Sequence, residues 1–188
     1  ILRELLILYE NLLKRNAVAA RGWCHAKVSY EIALSPEGKI LGVFSLKTEE
    51  TRGKKTVFLP QSIIVPEMVT RSSGVSANFL CDNSKYMLGI DRNSTDQRTV
   101  ECFQAAKEKH LAVLSGLEGE IPSAVRSFFE NWDPENVESC AEVMRVRDDI
   151  TDGGNIIFSV KGVRAQEDSR VRDAWNKYYS ENEDGESA

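Results

Sequence analysis

Two histidines and four cysteines are the side chains here best suited to hold a soft metal or act as nucleophiles, and their spacing points to neither use. His25 and His110 each lack a ligating residue three or four positions away, and Cys24, Cys81, Cys102 and Cys140 form no Cys-x-x-Cys pair. Cys24 and His25 adjoin, but a Cys/His catalytic pair is made by spatial contact with an orienting third group, so a strand-entry position is the plainer reading. Asp148, Asp149 and Asp152 could contribute to a two-metal nuclease, yet acids this close together ahead of Gly153-Gly154 read as a solvated turn. No Gly-x-Gly-x-x-Gly or Walker loop offers a phosphate cradle. The sequence is therefore expected to carry no catalytic residue, no metal and no cofactor.

What remains is basic and hydrogen-bonding. Arg52-Gly53-Lys54-Lys55 is one cluster, and the segment from Arg71 through Lys85 is the other. Cations in loops reach phosphates, while Ser, Asn and Gly supply short donors and allow close backbone approach. An Asn side chain can also pair with adenine, and Asn or Lys can read minor-groove acceptors. An ordinary solvated loop explains the same composition, and residues alone do not separate the two.

The elements that would position these loops follow from periodicity. Leu2, Leu5, Leu6, Leu8, Tyr9, Leu12 and Leu13 recur at helical spacing and predict an amphipathic opening helix. Val28, Tyr30, Ile32 and Leu34 alternate with Lys27, Ser29, Glu31 and Ala33, giving a strand over 26–34 that pairs through the Ser35-Pro36-Glu37-Gly38 turn with a second strand over 40–46. A polar stretch over 48–55 separates these from short strands at 56–59 and 62–65, which Pro60 and Pro66 confine to edges or breaks. Residues 71–78 read as a loop. Helices are expected over 99–114, stopped by Gly116, over 123–132, and from the Asp133-Pro134 cap toward Met144. A strand at 156–160, a helix over 169–179 and a frayed acidic tail at 181–188 complete an α+β chain. The expected organisation is one domain over 1–188, with a β-rich part at 1–98 and a helix-rich part at 99–180.

Net charge is −5, but it is unevenly placed: +4 over residues 1–100 and −9 over residues 101–188. A surface for a polyanion would therefore lie in the first part. No apolar run is long enough to span a bilayer, and scattered cysteines suit a reducing cytoplasm. Asn93-Ser94-Thr95 fits the glycosylation pattern and reads as a polar turn.

Four stretches together resemble the Csd family, the large subunit of type I-C CRISPR Cascade. They are the opening helix from Ile1-Leu2-Arg3-Glu4-Leu5 to Tyr9, and the first hairpin, with Val28-Ser29-Tyr30, Leu34-Ser35 and Gly38. The third is Arg71-Ser72-Ser73-Gly74-Val75-Ser76-Ala77-Asn78-Phe79-Leu80 with Asp82-Asn83, Tyr86 and Gly89. The fourth runs from Phe128 and Asn131-Trp132-Asp133-Pro134 through Phe158 to Gly162 and Ala174-Trp175 to Tyr178. Cys81 stands where the family often has Trp. The family's subunit is several times longer, so these residues resemble its N-terminal part, and the missing initiator Met fits trimming of the sequence rather than of the protein.

The resemblance implies a non-enzymatic module that sits beside the crRNA 5′ handle, recognises the protospacer-adjacent motif in target double-stranded DNA, and supports recruitment of a separate helicase-nuclease. Other type I-C Cascade subunits, and a phage anti-CRISPR protein, would be further partners. By the same resemblance Asn78, Asn83 and Lys85 would approach base edges, Arg71, Ser72 and Ser73 would hold phosphate with Gly74 allowing a close turn, and Lys54 and Lys55 would clamp backbone. Asn78 and Asp82 could instead brace the loop locally. The competing expectation is a protein-docking module built on the acidic helices, with Trp132, Trp175, Tyr178 and Tyr179 as anchors or as core.

Overall fold

The structure is a computed structural model that describes residues 1–14, 19–92 and 96–186. Asn93-Ser94-Thr95 and the last two tail residues lie outside the described residues. A central strand, β1 (Trp23–Leu34), organises the sheet. Its second half pairs antiparallel with β2 (Ile40–Ser45), and its first half pairs antiparallel with β5 (Gln61–Pro66) on the same edge. On its other edge it pairs in parallel with β6 (Asn155–Val160), which turns back through Lys161-Gly162 into the two-residue β7 (Val163–Arg164). The second part thus contributes two strands where one is expected from the sequence, because the left-handed backbone at Lys161 and Gly162 makes the tight hairpin that adds β7.

The expected alternation of β1 is broken once. Pairing with β6 passes from Val28 opposite Asn155 to Tyr30 opposite Ile156, leaving Ser29 as an extra residue. A one-residue slip exchanges the faces of a strand. Tyr30, Ile32 and Leu34 accordingly enter the main core, while Val28 joins a smaller cluster with Ala26, Ile63, Val65, Cys81 and Ile157. The turn before β2 is tied to the helices: Gly38 has φ +83, and a Cβ there would stand 2.5 Å from the backbone nitrogen of Phe128. Only glycine allows that approach.

Helices pack on the Tyr30 face. After the one-turn α2 (Ser84–Met87) come α3 (Gln97–Val113), capped by Asp96, and α4 (Glu120–Asn131), whose Phe128 and Phe129 rings meet Phe158 of β6 at 5.2 and 5.8 Å. The third expected helix is split. Asp133 caps a 3-10 turn at Pro134–Ser139, the extended backbone of Cys140 interrupts it, and one turn of α5 (Ala141–Met144) follows. Asp148 and Asp149 are exposed on a further turn, α6 (Arg147–Ile150). The last helix, α7 (Ser169–Glu186), runs on through the residues expected to fray as far as Glu186. Trp175 is buried in the core and stacks on Phe79 at 5.3 Å. The core therefore draws on both halves of the chain.

Two elements stand apart. The opening helix, α1 (Leu2–Lys14), forms, but Leu2, Leu5, Leu6, Ile7, Leu8 and Tyr9 are all exposed, so these six are not covered by the described residues. Between β2 and β5, the polar stretch supplies an additional strand, β3 (Thr48–Arg52), which pairs with the expected strand at 56–59, β4 (Lys55–Leu59), as a two-stranded ribbon. Every β3 side chain is exposed, so cross-strand hydrogen bonding rather than burial makes this strand, which is why no apolar pattern announces it. No described helix is long and apolar enough to cross a membrane.

Candidate nucleic-acid interface

The two basic segments leave the sheet at opposite ends of β5. The ribbon enters it at Gln61, and the loop from Arg71 starts shortly after Pro66. Six residues of strand separate their roots by about 20 Å, or about six base-pair steps of duplex at ~3.4 Å each. At the ribbon tip, Gly53 takes a left-handed φ of +64 as the first residue of a two-residue turn, leaving Lys54 and Lys55 exposed. Neither lysine pairs with a carboxylate among the described residues, whereas neighbouring Arg52 lies 3.7 Å from Glu50.

The loop is built the other way, from the inside. Asp82 is its hub and is almost fully buried. One carboxylate oxygen accepts from Arg71 and from the Asn78 backbone N–H (3.0 Å), and the other accepts from the Asn83 N–H (2.9 Å). The Asp82 backbone exchanges two hydrogen bonds with Ile156 of β6, anchoring the loop to the sheet. Burial pushes the Asp82 carboxyl above its ordinary range, against the pull of Arg71 and the two amides. Arg71 also stacks on Tyr86 at 3.9 Å and donates to the Ser76 carbonyl at 2.6 Å, while the Tyr86 hydroxyl accepts from the Ser76 N–H.

Helix α3 supplies three more supports. Lys109 donates to the Ala77 carbonyl at 2.9 Å, and Arg98 reaches the Ser73 carbonyl at 3.5 Å. His110, wholly buried, accepts from the Leu80 N–H at 2.9 Å with Nε2 while Nδ1 faces the Ala106 carbonyl at 2.6 Å. Those contacts assign the Nδ1-protonated tautomer. Burial holds His110 down at about 3, so the ring is neutral and serves as a fixed acceptor. It thereby secures Leu80, a non-glycine residue with φ +61.

These supports leave an asymmetric surface. The carbonyls of Ser73, Ser76 and Ala77 face cations, yet among the described residues the backbone N–H groups of Ser72, Ser73, Gly74 and Val75 find no acceptor in the protein. Ser72, Ser73 and Gly74 are exposed. The tip thus offers donors, with the negative ends of several of its peptide dipoles compensated, as an anion-binding backbone requires. Gly74 does not serve a left-handed turn, for its φ is not positive. A Cβ there would meet nothing within 4 Å, so the glycine leaves open space above the tip rather than permitting a bend.

The remaining candidates divide. Asn78 is buried, and its side-chain oxygen accepts from the Val69 N–H at 2.8 Å. Asn83 caps α2 by accepting from the Lys85 N–H at 3.1 Å. The Lys85 ammonium is partly exposed and lies 3.6 Å from Asp91. Trp132 donates to the Leu88 carbonyl and Trp175 to the Gly22 carbonyl, both packing with the core.

Sequence reading missed Lys109 and Arg98, and gave His110 only a place in the apolar face of α3. One signal for Lys109 was present: it falls three after Ala106 and four before Val113, on the buried stripe of α3, where a lysine is unusual and needs a partner. Nothing in the sequence connects it to a carbonyl 32 residues earlier. Among the described residues no group of acids and histidines is arranged to hold a metal. The family model for CRISPR-associated protein (Cas_Csd1) matches residues 5–188. No curated protein matches the chain.

Proposed function

The chain belongs to the CRISPR-associated Csd1 family, a family of Cascade subunits, and from that premise we propose that it is a non-catalytic module reading the protospacer-adjacent motif in duplex DNA. In this reading it works beside the crRNA 5′ handle of a type I-C complex in the cytoplasm, and holding the duplex there supports recruitment of the helicase-nuclease. Base pairing with the guide identifies the target, and the protein needs to read only a short duplex element.

One observation carries the reading: the loop tip exposes free backbone donors and two serine hydroxyls, with three cations holding carbonyls of the same loop. Ser72, Ser73 and Gly74 would receive a phosphate, with partly exposed Lys85 nearest the base edges. Lys54 and Lys55, at the tip of the ribbon that leaves the other end of β5, would grip the backbone elsewhere along the duplex. Arg71, Asn78 and Asn83 would act from within, holding the tip in shape, because the Arg71 guanidinium and the side-chain oxygens of both asparagines are engaged by neighbouring groups of the protein.

The test is target-duplex binding by the complete complex carrying Gly74→Ala or Ser72→Ala/Ser73→Ala, with correct and scrambled adjacent motifs. Weaker binding to the correct motif by a normally folded complex is expected. Unchanged affinity and discrimination in both variants would remove the tip from the interface.

A second reading, docking without DNA contact, is favoured by the exposed apolar residues of α1. In a Cascade subunit the occupant would be a neighbouring subunit. Leu5→Glu would then release the chain from the complex without altering DNA contact by the complexes that still assemble.

A further inference from the structure

Beside the loop, a cleft of about 390 Å³ opens between the segment after β5 and helix α7. We infer that this cleft takes one unpaired nucleotide from single-stranded DNA next to the duplex, its base against Tyr178 and its phosphate at Lys109. The inference rests on the proposed reading of the loop, with which the cleft is continuous: Ser76 and Lys109 line it, and the same Lys109 holds the Ala77 carbonyl.

The lining matches the parts of a nucleotide. Lys109 spends one donor on Ala77, pairs with no carboxylate among the described residues, and lies 5.6 and 5.9 Å from the ring centres of Trp175 and Tyr178. Its remaining N–H groups suit a phosphate oxygen. Burial holds the ammonium below its ordinary pKa, and an arriving phosphate would offset that by favouring the charged form. Tyr178 is half-buried and fixed by stacking on Trp175 at 5.6 Å, so it presents a preset ring at little entropic cost. Glu67 and Asn182, both exposed on the rim, add an acceptor for an exocyclic amine and an amide. The Asn182 amide nitrogen already donates to the Tyr178 carbonyl, which leaves its oxygen as the second acceptor. An apolar peptide would leave Lys109 and Glu67 unsatisfied, and a paired base has no edge free to enter.

The volume also fits. Small-molecule sites begin at roughly 300 Å³, so the cleft holds one nucleotide and not a run of them. Bases entering singly must be unstacked, which duplex DNA permits only where the strands have separated.

The test uses the complete complex and two probes: a blunt duplex carrying the correct adjacent motif, and the same duplex with a single-stranded arm. Tyr178→Ala is expected to weaken binding of the armed probe roughly 5- to 150-fold, the span of one base–aromatic stack, while leaving the blunt duplex unchanged. Glu67→Gln, at an exposed position with no folding role, should shift preference among arms ending in different bases. A photo-crosslinkable pyrimidine in the arm should attach to α7. Equal loss on both probes by Tyr178→Ala, together with no change of arm preference by Glu67→Gln, would assign the cleft a structural role and overturn the inference. Loss of a protein partner with both DNA affinities intact would overturn it in favour of a peptide site. If the loop variants leave DNA binding unchanged while the arm still crosslinks to α7, the loop reading fails and the cleft stands.

Discussion

The ribbon tip and the Arg71–Lys85 segment look alike as sequence, each with cations among small polar residues, yet they fold into opposites. On the ribbon, Lys54 and Lys55 are exposed and without a carboxylate partner among the described residues, on a strand pair that buries almost nothing. At the loop, Arg71 together with Arg98 and Lys109 of α3 is spent on carbonyls and on Asp82, so that uncharged donors occupy the surface of the tip. A cation can act on a polyanion directly, by charge, or indirectly, by fixing the backbone that does. The first is tolerant of geometry and sensitive to salt; the second is the reverse.

The strongest challenge to this contrast is Asp82→Ala. It strips acceptors from the Arg71 guanidinium and two backbone amides at once, and should cost about 3 kcal/mol or more in urea unfolding, as loss of one member of a buried pair does. A cost under 1 kcal/mol would mean that the loop is not held from within. Acid should act next. The unfolded chain protonates a histidine near 6.5 and the folded one protonates His110 only at about 3. His110's contribution is therefore complete above pH 6.5 and shrinks as pH falls toward 3, by about 2 kcal/mol at pH 5. Asp82, raised by burial, works in the opposite sense over its own range. The measurement is thus the wild-type pH profile against His110→Gln, which should be flatter between pH 5 and 6.5.

Asn78→Ala should cost about 1 to 2 kcal/mol by leaving the Val69 N–H without its acceptor. DNA discrimination should then be lost in proportion to the loosening of the loop, and a stable variant with lost discrimination would return Asn78 to the base edges. Smallest in stability, within about 0.5 kcal/mol, is Lys54→Ala/Lys55→Ala. Its effect belongs in the salt dependence, where two released phosphate contacts should flatten the slope of log affinity against log salt by about 1.8. Equal flattening by a loop variant would erase the distinction between the two regions.

Much of the scaffold was legible. Alternation gave the first hairpin, and 3.6-residue spacing gave α1, α3 and α4, because burial of one face imposes those periods. Asp133-Pro134 marked its helical start correctly, since capping is local chemistry. Of the ribbon, the strand at 56–59 was read but its partner β3 was missed, because β3 has no buried face to leave a pattern, and the flip at Ser29 was missed because a bulge is decided by the neighbouring strand. Within the loop, the small polar residues and cations marked a candidate segment. Which of them faced outward was not written in their types.

The sequence alone determined the α+β class, the basic balance of the first part, and the clustering of small polar residues between Arg71 and Lys85. Tertiary structure decided that Asp82 and His110 hold that segment, that Arg71 and Asn78 serve it from within, and that Lys109 of α3 and Tyr178 of α7 border one cleft. The physical reason is range. Periodicity and capping are interactions among residues a few positions apart, whereas the partners of the loop lie up to about a hundred residues along the chain and meet only when sheet and helices close on a common core.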